Sequence, residues 1–509
     1  MSHYSVLTSN FRWLALAAAF TFAAVLHAAP ETALPAKVNF NEHVAPILYQ
    51  NCATCHRPGE VGPFPLTSYE DAKKRVRQII DVTGSRQMPP WHADVASPAM
   101  SNDRRLTAAQ IATLARWQEQ GAPEGDPAKK PAPPKLPANF SITKPDWEFT
   151  MPEPYVVKAA GRDVYRNFVL PLNFTNDTWV TGIELRPGAP NVVHHILVFI
   201  DPTGEALKRD GADPGVGYNG FNASGLKFIV AWAPGGGTLT LPDDLAWNFP
   251  KGANLVLQTH IHPSGKPEQE ATTVRLKFGK EAPAKSYTTI NIPPNFGVLK
   301  DIYIPAGESN FVMRDSFVLP VDGEAFAVGG HAHEIGRSLQ MTATFPDGTQ
   351  KLLLKISDWD FAWQEQYEYR QRIKLPRGTK LETVVSWDNS AANPRNPHSP
   401  PRDISWGEQT TNEMGSVVIA FIPAKNEDIA LVRAALEDHV ADQVIDLGMA
   451  PEVKRKFPRA LRDGLKRIKD GALLLDANQD GKLEGDERIV VRGMIKATGL
   501  SKGILDASP

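Results

Sequence analysis

Two cysteines and a histidine near the N-terminus form the motif Cys52-Ala53-Thr54-Cys55-His56. Covalent haem attachment needs two thiols that can add to the vinyl groups, followed by a histidine that can reach the iron. A structural zinc site needs two further ligands at finger-like spacing, and no such pair follows the motif. The spacing therefore predicts a c-type haem bound through Cys52, Cys55 and His56. A zinc site or a redox-active CxxC motif is the alternative.

A methionine is expected as the sixth haem ligand, because Met/His ligation stabilises ferrous iron and raises the reduction potential. Met88 lies on a proline-stiffened loop ahead of the helix predicted over residues 107–120. Met100 and His92 are the alternative ligands. The surrounding stretch, residues 38–125, resembles a class I cytochrome c domain.

Six of the thirteen histidines form three pairs within apolar segments. The pairs are His194 with His195, His260 with His262, and His331 with His333. Residues two apart on a strand face the same side, so both members of an H-x-H pair can reach one metal ion. Adjacent histidines face opposite sides, so the first pair can share a metal only on a distorted backbone or at a strand end. A single histidine in such a strand is usually a hydrogen-bonded core residue, but three pairs favour a metal role.

An acidic segment near the C-terminus, residues 476–487, fits the EF-hand calcium loop. Oxygen donors occupy every ligand position of that loop. These positions hold Asp476, Asn478, Asp480, Lys482 (through its carbonyl), Glu484 and Glu487. A solvated acidic turn is the alternative. Because EF-hand loops usually occur in pairs and this one is single, we expect a structural role for calcium.

The N-terminal residues 1–29 have the pattern of a signal peptide, which predicts a periplasmic or secreted protein. Arg12 precedes a short apolar run that begins at Trp13, and the small residues Ala28 and Ala29 close it. The run is short for a membrane span, so no span is expected after cleavage. An uncleaved anchor is the alternative.

Composition excludes one class of partner and one source of stability. The formal net charge is −2, so there is no basic surplus to neutralise nucleic-acid phosphates. The chain has only 2 cysteines, both in the haem motif. The rest of this exported chain must therefore be stabilised by packing and by bound metal rather than by disulfides.

A chain of 509 residues is too long for a single core, and the residue pattern divides it into several domains. Residues 36–126 are predicted to be helical, and residues 127–146 form a proline-rich linker. Short β-rich segments separated by turns then predict two antiparallel β-sandwiches, at 147–285 and 286–424. These segments include 192–200, 255–262, 338–345, 383–386 and 416–422. A helical segment, 425–509, surrounds the acidic loop.

The β region resembles the copper type II, ascorbate-dependent monooxygenases, the family of peptidylglycine α-hydroxylating monooxygenase and dopamine β-monooxygenase. The matching motifs occur in the family's order over most of residues 147–423. They are His194-His195, Ala231-Trp232-Ala233-Pro234-Gly235, His260-Ile261-His262, His331-Ala332-His333 and Asn412-Glu413-Met414.

The resemblance implies jelly-roll-like sandwiches that each bind one copper ion. The implied ligands are His194, His195 and His260 in the first sandwich, and His331, His333 and Met414 in the second. In the family, the first copper transfers electrons, and the second binds O₂ and hydroxylates the substrate. A thioether favours Cu(I), the state that meets O₂. His262 is expected to support a ligand or to replace one, and Glu413 to be structural rather than a general base.

Three positions differ from the peptide-amidating members of the family. Gly329 stands where those enzymes have an arginine that holds a carboxylate. Ser416 and Val418 stand where they have polar groups for the same peptide terminus. These differences disfavour peptide amidation. The insert at residues 387–394, continuing to 406–408, is expected either to shape the mouth of the substrate site or to form a surface loop.

Together these features indicate a copper-dependent monooxygenase, an oxidoreductase that acts on paired donors with O₂ and hydroxylates a C–H bond of a small organic substrate. The expected cofactors are two copper ions, a covalent haem c and one calcium ion. The haem would supply electrons, replacing or relaying ascorbate or a redox protein. The alternative is a non-catalytic periplasmic electron-transfer or copper-binding cytochrome. A haem-based redox sensor is a further option.

Overall fold

The structure is a computed structural model in which two antiparallel β-sandwiches lie between two helical regions. It describes residues 34–58, 60–101, 103–132, 141–220, 225–234, 238–450, 452, 459–476 and 482–506. The predicted signal peptide lies outside this part of the chain. Within the described residues, no helix has the length and apolar character needed to cross a membrane. The predicted antiparallel β-sandwiches and the C-terminal helical segment are confirmed.

The N-terminal region is helical. After a short π-helical turn, its helices are α1 (Ala45–Asn51), α2 (Tyr69–Lys74), α3 (Val76–Gly84) and α4 (Ala108–Glu119). A capping box between Thr107 and Gln110 begins α4. The apolar positions of residues 68–82 would fit a single helix, but these residues form two helices, because the backbone of Arg75 leaves the helical region at φ −113° and ψ 9°. The guanidinium of Arg75 lies 4.6 Å from the ring centroid of Phe64.

The first sandwich packs two main sheets around one apolar core. Its strands are β1 (Trp147–Thr150), β2 (Tyr155–Val157), β3 (Val164–Pro171), β4 (Thr178–Arg186), β5 (Val193–Asp201), β6 (Tyr218–Asn219), β7 (Lys227–Trp232), β8 (Leu239–Thr240), β9 (Trp247–Phe249), β10 (Asn254–Ile261), β11 (Glu268–Glu270) and β12 (Thr273–Phe278). One sheet has the order β6-β3-β10-β5-β7, and the other has the order β1-β12-β4-β8 with β9 also on β4. Helix α5 (Glu205–Ala212) follows β5. The histidines of β5 and β10 are therefore on adjacent strands.

The second sandwich pairs two four-stranded sheets. Its strands are β13 (Thr288–Ile292), β14 (Tyr303–Ile304), β15 (Phe311–Val318), β16 (Gly323–Ala332), β17 (Gly336–Thr344), β18 (Gln350–Ile356), β19 (Gln366–Leu375), β20 (Lys380–Trp387), β21 (Ile404–Ser405) and β22 (Gly415–Pro423). The orders are β13-β22-β16-β19 and β15-β20-β17-β18. Alternate residues of β20 are buried, as expected for a strand with one face on the core. This topology places β16 beside β22.

The C-terminal helices pack against the second sandwich. They are α6 (Ile429–Met449), α7 (Arg459–Leu473), α8 (Gly485–Ala497) and α9 (Leu500–Asp506). Buried Asp315 of β15 anchors α6, because its carboxylate accepts hydrogen bonds from His439 at 3.0 Å and Gln443 at 2.8 Å. Lys300 lies 2.8 Å from the same carboxylate. This network links the helical segment to the sandwich core.

One segment of the N-terminal region, residues 91–101, leaves the helices and packs on the second sandwich. Asp94 N–H donates to the carbonyl of Lys355 at 2.8 Å, and Arg370 N–H donates to the carbonyl of Ala99 at 2.9 Å. The side chains of Trp91, Ala93 and Met100 belong to the apolar core of that sandwich. The sequence pattern places these residues in the predicted helical domain, because nothing local in them indicates a partner far along the chain.

Candidate metal centres

The first candidate centre lies where β5 and β10 pair. His195 pairs with His260, but the next pair is Val193 with Ile261, so His194 is the extra residue of a β-bulge. A bulge can turn adjacent side chains toward the same side of the sheet, although they would point to opposite faces on a regular strand. The bulge is a backbone distortion of the kind that adjacent His194 and His195 need if they are to share a metal.

Three imidazoles converge at this bulge. Candidate ligand nitrogens of His194, His195 and His260 all lie within 4.8 Å of one another. The Nδ1 atoms of His194 and His195 are 3.0 Å apart. The Nδ1 of His260 is buried and has no hydrogen-bond partner among the described residues. A buried imidazole nitrogen without a partner is unfavourable unless something binds it, so the geometry fits a metal ion held by nitrogen. We call these three residues the three-histidine cluster.

The carboxylate of Asp163 orients one imidazole of the three-histidine cluster by a hydrogen bond. Asp163 accepts hydrogen bonds from Nε2 of His260 and from Nδ1 of His262, both at 2.7 Å. Burial alone would raise the pKa of Asp163, but these two hydrogen bonds lower it to about 2. The charged carboxylate fixes the Nε2–H tautomer of His260 and leaves Nδ1 for a metal. The side chain of His262 is 70% exposed, so His262 is placed as a partner of Asp163 and outside the cluster.

Replacing Asp163 with asparagine is expected to weaken metal binding at the three-histidine cluster about 10- to 100-fold, because the carboxylate that orients His260 is lost. Chelator competition on the purified protein measures this affinity. The matched control is His262→Gln, which removes the exposed ring from the same carboxylate and should leave the affinity close to that of the unaltered protein. An unchanged affinity in the Asp163 variant would contradict this role.

The second candidate centre lies at the adjoining ends of β16 and β22. On these antiparallel strands His331 pairs with Ser416, and the last pair is Ala332 with Gly415. His333 and Met414 are the next residues beyond that pair, one at the end of each strand. The ring centroids of His331 and His333 are 5.1 Å apart. Met414 is buried and lines the same cavity as both histidines. These three residues form the His331–His333–Met414 cluster.

Oxygen acceptors orient both imidazoles of the second cluster. Nδ1 of His331 lies 2.6 Å from the side-chain oxygen of Gln364, and Nδ1 of His333 lies 3.1 Å from the carbonyl of Asn412. Each acceptor selects the Nδ1–H tautomer and leaves Nε2 with its lone pair. The donor set of two imidazoles and one thioether fits copper better than zinc or iron.

Burial keeps four imidazoles of the two clusters in the neutral form, those of His194, His195, His331 and His333. It lowers the pKa of His194 and of His331 to about 4, and that of His333 to about 3. The pKa of His195 is also lowered well below its usual value by burial. A neutral imidazole has a free lone pair, so these side chains can act as metal ligands at neutral pH.

Glu413 ties the Met414 segment to the His333 turn. Its carboxylate accepts hydrogen bonds from the backbone N–H of His333 and of Ile335, each at 2.9 Å, and from Nε1 of Trp387 at 2.8 Å. Complete burial raises the pKa of Glu413 to about 8. With its oxygens engaged by three donors, this carboxyl has a positioning role, in keeping with the expectation that it is not a general base.

A single cavity of about 160 Å³ joins the two clusters. His195 lines it from the first sandwich, and His331, His333 and Met414 line it from the second. The ring of Phe361 is stacked on His194 at 5.1 Å and contacts His333 edge-on at 5.5 Å. Phe361 therefore stands directly between the two candidate centres.

The cavity wall is mainly apolar. Its lining includes Leu197, Phe228, Trp232, Phe296, Val328 and Val418. Among the described residues no lysine or arginine lines this cavity, and Gly329 lies in its wall. Glu408, from the insert after β20, also lines it, which places part of that insert at the cavity.

The haem motif forms a tight turn after α1. His56 N–H donates to the carbonyl of Cys52 at 2.9 Å, and the two cysteines are not joined by a disulfide. Nδ1 of His56 lies 3.0 Å from the carbonyl of Phe64, so this contact leaves Nε2 available to iron. A side chain at Gly62 would come within 2.9 Å of the His56 ring, so only glycine fits there. These contacts fix the orientation of the His56 ring in a way that suits a haem ligand.

The three candidates for the sixth haem ligand have different surroundings. Met88 is half-buried just after α3, where its N–H donates to the carbonyl of Val82 at 3.0 Å. Met100 is 1% exposed within the core of the second sandwich. Nδ1 of His92 lies 3.1 Å from the carbonyl oxygen of Asp358, within hydrogen-bond distance. Met88 stays the predicted ligand, with His92 as the alternative.

The calcium loop is described only in part. Helices α7 and α8 flank it, as an EF-hand requires. Asp476 is buried, while Lys482 and Glu484 are exposed. The predicted ligands Asn478 and Asp480 lie outside the described residues, so calcium binding stays a prediction.

Several site residues were missed by sequence reasoning. Phe361 and Gln364 carry no local signal, since they reach the clusters only through the packing of distant strands and loops. Asp163 carries a weak one, because it is an acidic residue immediately before the apolar strand β3.

Comparison with known proteins gives no family assignment. No family model matches the sequence, and no curated protein matches it. Among solved structures, similarity is found to the major capsid protein P2 of bacteriophage PM2, with 10% identity over 54% of this chain and 97% of that chain and a TM-score of 0.26. Similarity is also found to the recombinant peptide:N-glycanase F, with 10% identity over 55% of this chain and 96% of that chain and a TM-score of 0.24. Scores this low support no inference.

Proposed function

We propose that this chain is an exported copper-dependent monooxygenase that hydroxylates a C–H bond of a small organic substrate with O₂, using electrons supplied through an attached c-type haem. The observation that carries the proposal is that two separate ligand sets face one cavity. A metal store needs no shared cavity, whereas a two-centre oxygenase needs a place for substrate between an electron-transferring site and an O₂-binding site. The order of motifs shared with the copper type II monooxygenases supports the same proposal.

The ligand types support different roles for the two clusters. Three imidazoles serve copper in either oxidation state, which suits electron transfer. A thioether such as that of Met414 favours Cu(I), which suits the site that meets O₂. Copper at the two clusters would supply the redox chemistry, and a haem c on Cys52 and Cys55 would supply single electrons.

The chain's own residues would hold these ligands in their reactive form. Asp163, Gln364 and the carbonyl of Asn412 select the tautomers of His260, His331 and His333. Outer hydrogen bonds of this kind fix ring orientation and raise ligand basicity. Phe361 and the other apolar lining residues give the space between the clusters a mainly apolar wall.

The cavity supports a small, largely apolar substrate. Its volume of about 160 Å³ suits a small reacting portion. A carboxylate at the end of a peptide would need a cationic partner, and none lines the cavity among the described residues. This supports hydroxylation of a small organic molecule rather than peptide amidation.

The test is cofactor quantification followed by product analysis. The purified full-length protein should contain about two copper ions and about one covalent haem per chain. With ¹⁸O₂ and a panel of small apolar compounds, one labelled oxygen atom should enter the product. A protein that binds both metals but incorporates no label from any compound, while still passing electrons from haem to copper, would instead favour the non-catalytic electron-transfer protein.

A further inference from the structure

A second cavity, of about 360 Å³, adjoins the cavity that joins the two clusters. Several residues line both of them, among them Ala231, Ala327 and Ala420, so the two spaces share part of a wall. We call the space between the clusters the inner cavity and the second space the outer cavity. The outer cavity is the larger of the two, and the proposed function does not use it.

Small side chains of the second sandwich form one side of the boundary between the cavities. Thr289 of β13 pairs with Ala420 of β22, and Ala420 pairs with Ala327 of β16. Directly opposite residues on adjacent antiparallel strands project from the same face of the sheet. These three residues therefore lie in a row across the strands, and all three line both cavities. A row of such small side chains leaves little to separate the two spaces.

The first sandwich supplies the other side of this boundary. Ala231, Trp232 and Ala233, which belong to a motif shared with the copper type II monooxygenases, lie at the end of β7 and line both cavities. Two of these three residues are again alanines. The inner and outer cavities therefore meet between the sandwiches, at a passage bounded on both sides by small side chains.

Two threonine hydroxyls give the outer cavity a polar side. Thr238 and Thr240 line the outer cavity and do not line the inner one. Residues two apart on an extended segment face the same side, so both hydroxyls lie on one wall. Oγ1 of Thr238 is buried and has no hydrogen-bond partner among the described residues. Because a hydroxyl both donates and accepts, this wall suits a ligand group that does the same.

The charges in the wall of the outer cavity are either paired or exposed. Arg104 and Glu365 form an ion pair there. The other charged residue among its described lining residues is Glu368, which is exposed to solvent. A charged group of a ligand would be buried here without an unpaired counter-charge beside it, which is unfavourable. The outer cavity therefore suits a neutral group that forms hydrogen bonds.

We propose that the two cavities form one substrate site for an elongated, neutral molecule. Its apolar end occupies the inner cavity, and its hydrogen-bonding end, a hydroxyl or carboxamide, occupies the outer cavity. The inference rests on the proposed function, which makes the inner cavity the place of reaction. The carbon that is hydroxylated is then remote from the polar group. Ala327, Thr238 and Thr240 are specificity-determining residues, because they control access to the outer cavity and the polar contacts within it.

The experiment measures binding to the full-length protein, carrying haem and copper, by isothermal titration calorimetry. The solution is kept under argon without a reductant, so that no turnover occurs. Toluene tests the inner cavity alone, since an apolar cavity of about 150 Å³ accepts benzene. Butylbenzene adds a chain, and phenylbutanol adds a hydroxyl to that chain. Phenylbutanol should bind about tenfold more tightly than butylbenzene. Phenylbutyrate and phenylbutylamine, which carry a charge, should bind at least about tenfold more weakly than phenylbutanol.

Two variants test the passage and the polar wall. Ala327→Leu narrows the passage and should weaken phenylbutanol binding at least about tenfold, with toluene binding and copper content retained. The matched control is Ala424→Leu, which makes the same change at an exposed position just after β22 and should leave both affinities unaltered. Thr238→Val combined with Thr240→Val removes both hydroxyls and should lower the affinity for phenylbutanol to that for butylbenzene.

The outcomes separate this inference from the proposed function. Equal affinities for phenylbutanol and butylbenzene in the unaltered protein would overturn the inference, as would tighter binding of either charged compound. An equal loss of toluene and phenylbutanol binding in Ala327→Leu, at full copper content, would show that no separate outer site exists. If the whole series binds as expected but ¹⁸O₂ and a reductant give no labelled product, the proposed function fails and the two-cavity binding site stands.

Discussion

Replacing Met414 with leucine is expected to lower product formation at least about 100-fold, because a ligand is lost from the cluster proposed to meet O₂. Leucine keeps nearly the same volume as methionine, so the cavity wall and the fold should survive. Bound copper should fall by one ion per chain, and the three-histidine cluster should keep its copper. Metal analysis and product formation on the same preparation measure both effects.

The matched control for Met414 is Met341, which is fully buried on β17 within the core of the second sandwich. Met341→Leu makes the same chemical change away from the cavity and should keep both copper ions and normal product formation. Full activity in Met414→Leu would exclude the thioether from the reaction and favour the non-catalytic alternative.

Replacing both Cys52 and Cys55 with serine is expected to abolish covalent haem attachment, because the hydroxyl group does not form the thioether bonds. Electron-driven product formation should then be lost, while copper binding at both clusters is retained. Denaturing electrophoresis with haem staining measures the attachment, and metal analysis measures the copper. This separates the role of the haem from that of the sandwiches.

The control for the cysteine pair is Thr54→Ser, which alters the exposed residue between them and leaves both thiols in place. It should stain for haem like the unaltered protein. Covalent haem in the double-serine protein would show that the motif is not the attachment site.

Strand positions and the need for a distorted backbone at His194 could be predicted from sequence. Alternating burial on strands such as β20 is a local property, so its pattern is visible in the chain itself. The bulge at His194 followed from a chemical requirement, since two adjacent histidines cannot otherwise face one metal. Local sequence and metal chemistry were sufficient for these features.

The residues that orient the ligands could not be predicted, because they depend on long-range packing. Asp163 lies 97 positions before His260 and meets it only because β3 and β10 pair. Gln364 lies 33 positions after His331 and reaches it from the loop that follows β18. No periodicity in the sequence encodes such distances.

Residues 91–101 determine how the chain can be divided. Trp91, Ala93 and Met100 complete the core of the second sandwich while belonging, in sequence, to the helical region. A cleavage within residues 127–132 would leave a gap in one fragment and an exposed apolar patch on the other. The N-terminal region therefore cannot simply be exchanged for another domain. A chimaera with a different electron carrier must keep residues 91–101 packed on the second sandwich, because the apolar surface that they cover would otherwise be exposed and promote aggregation.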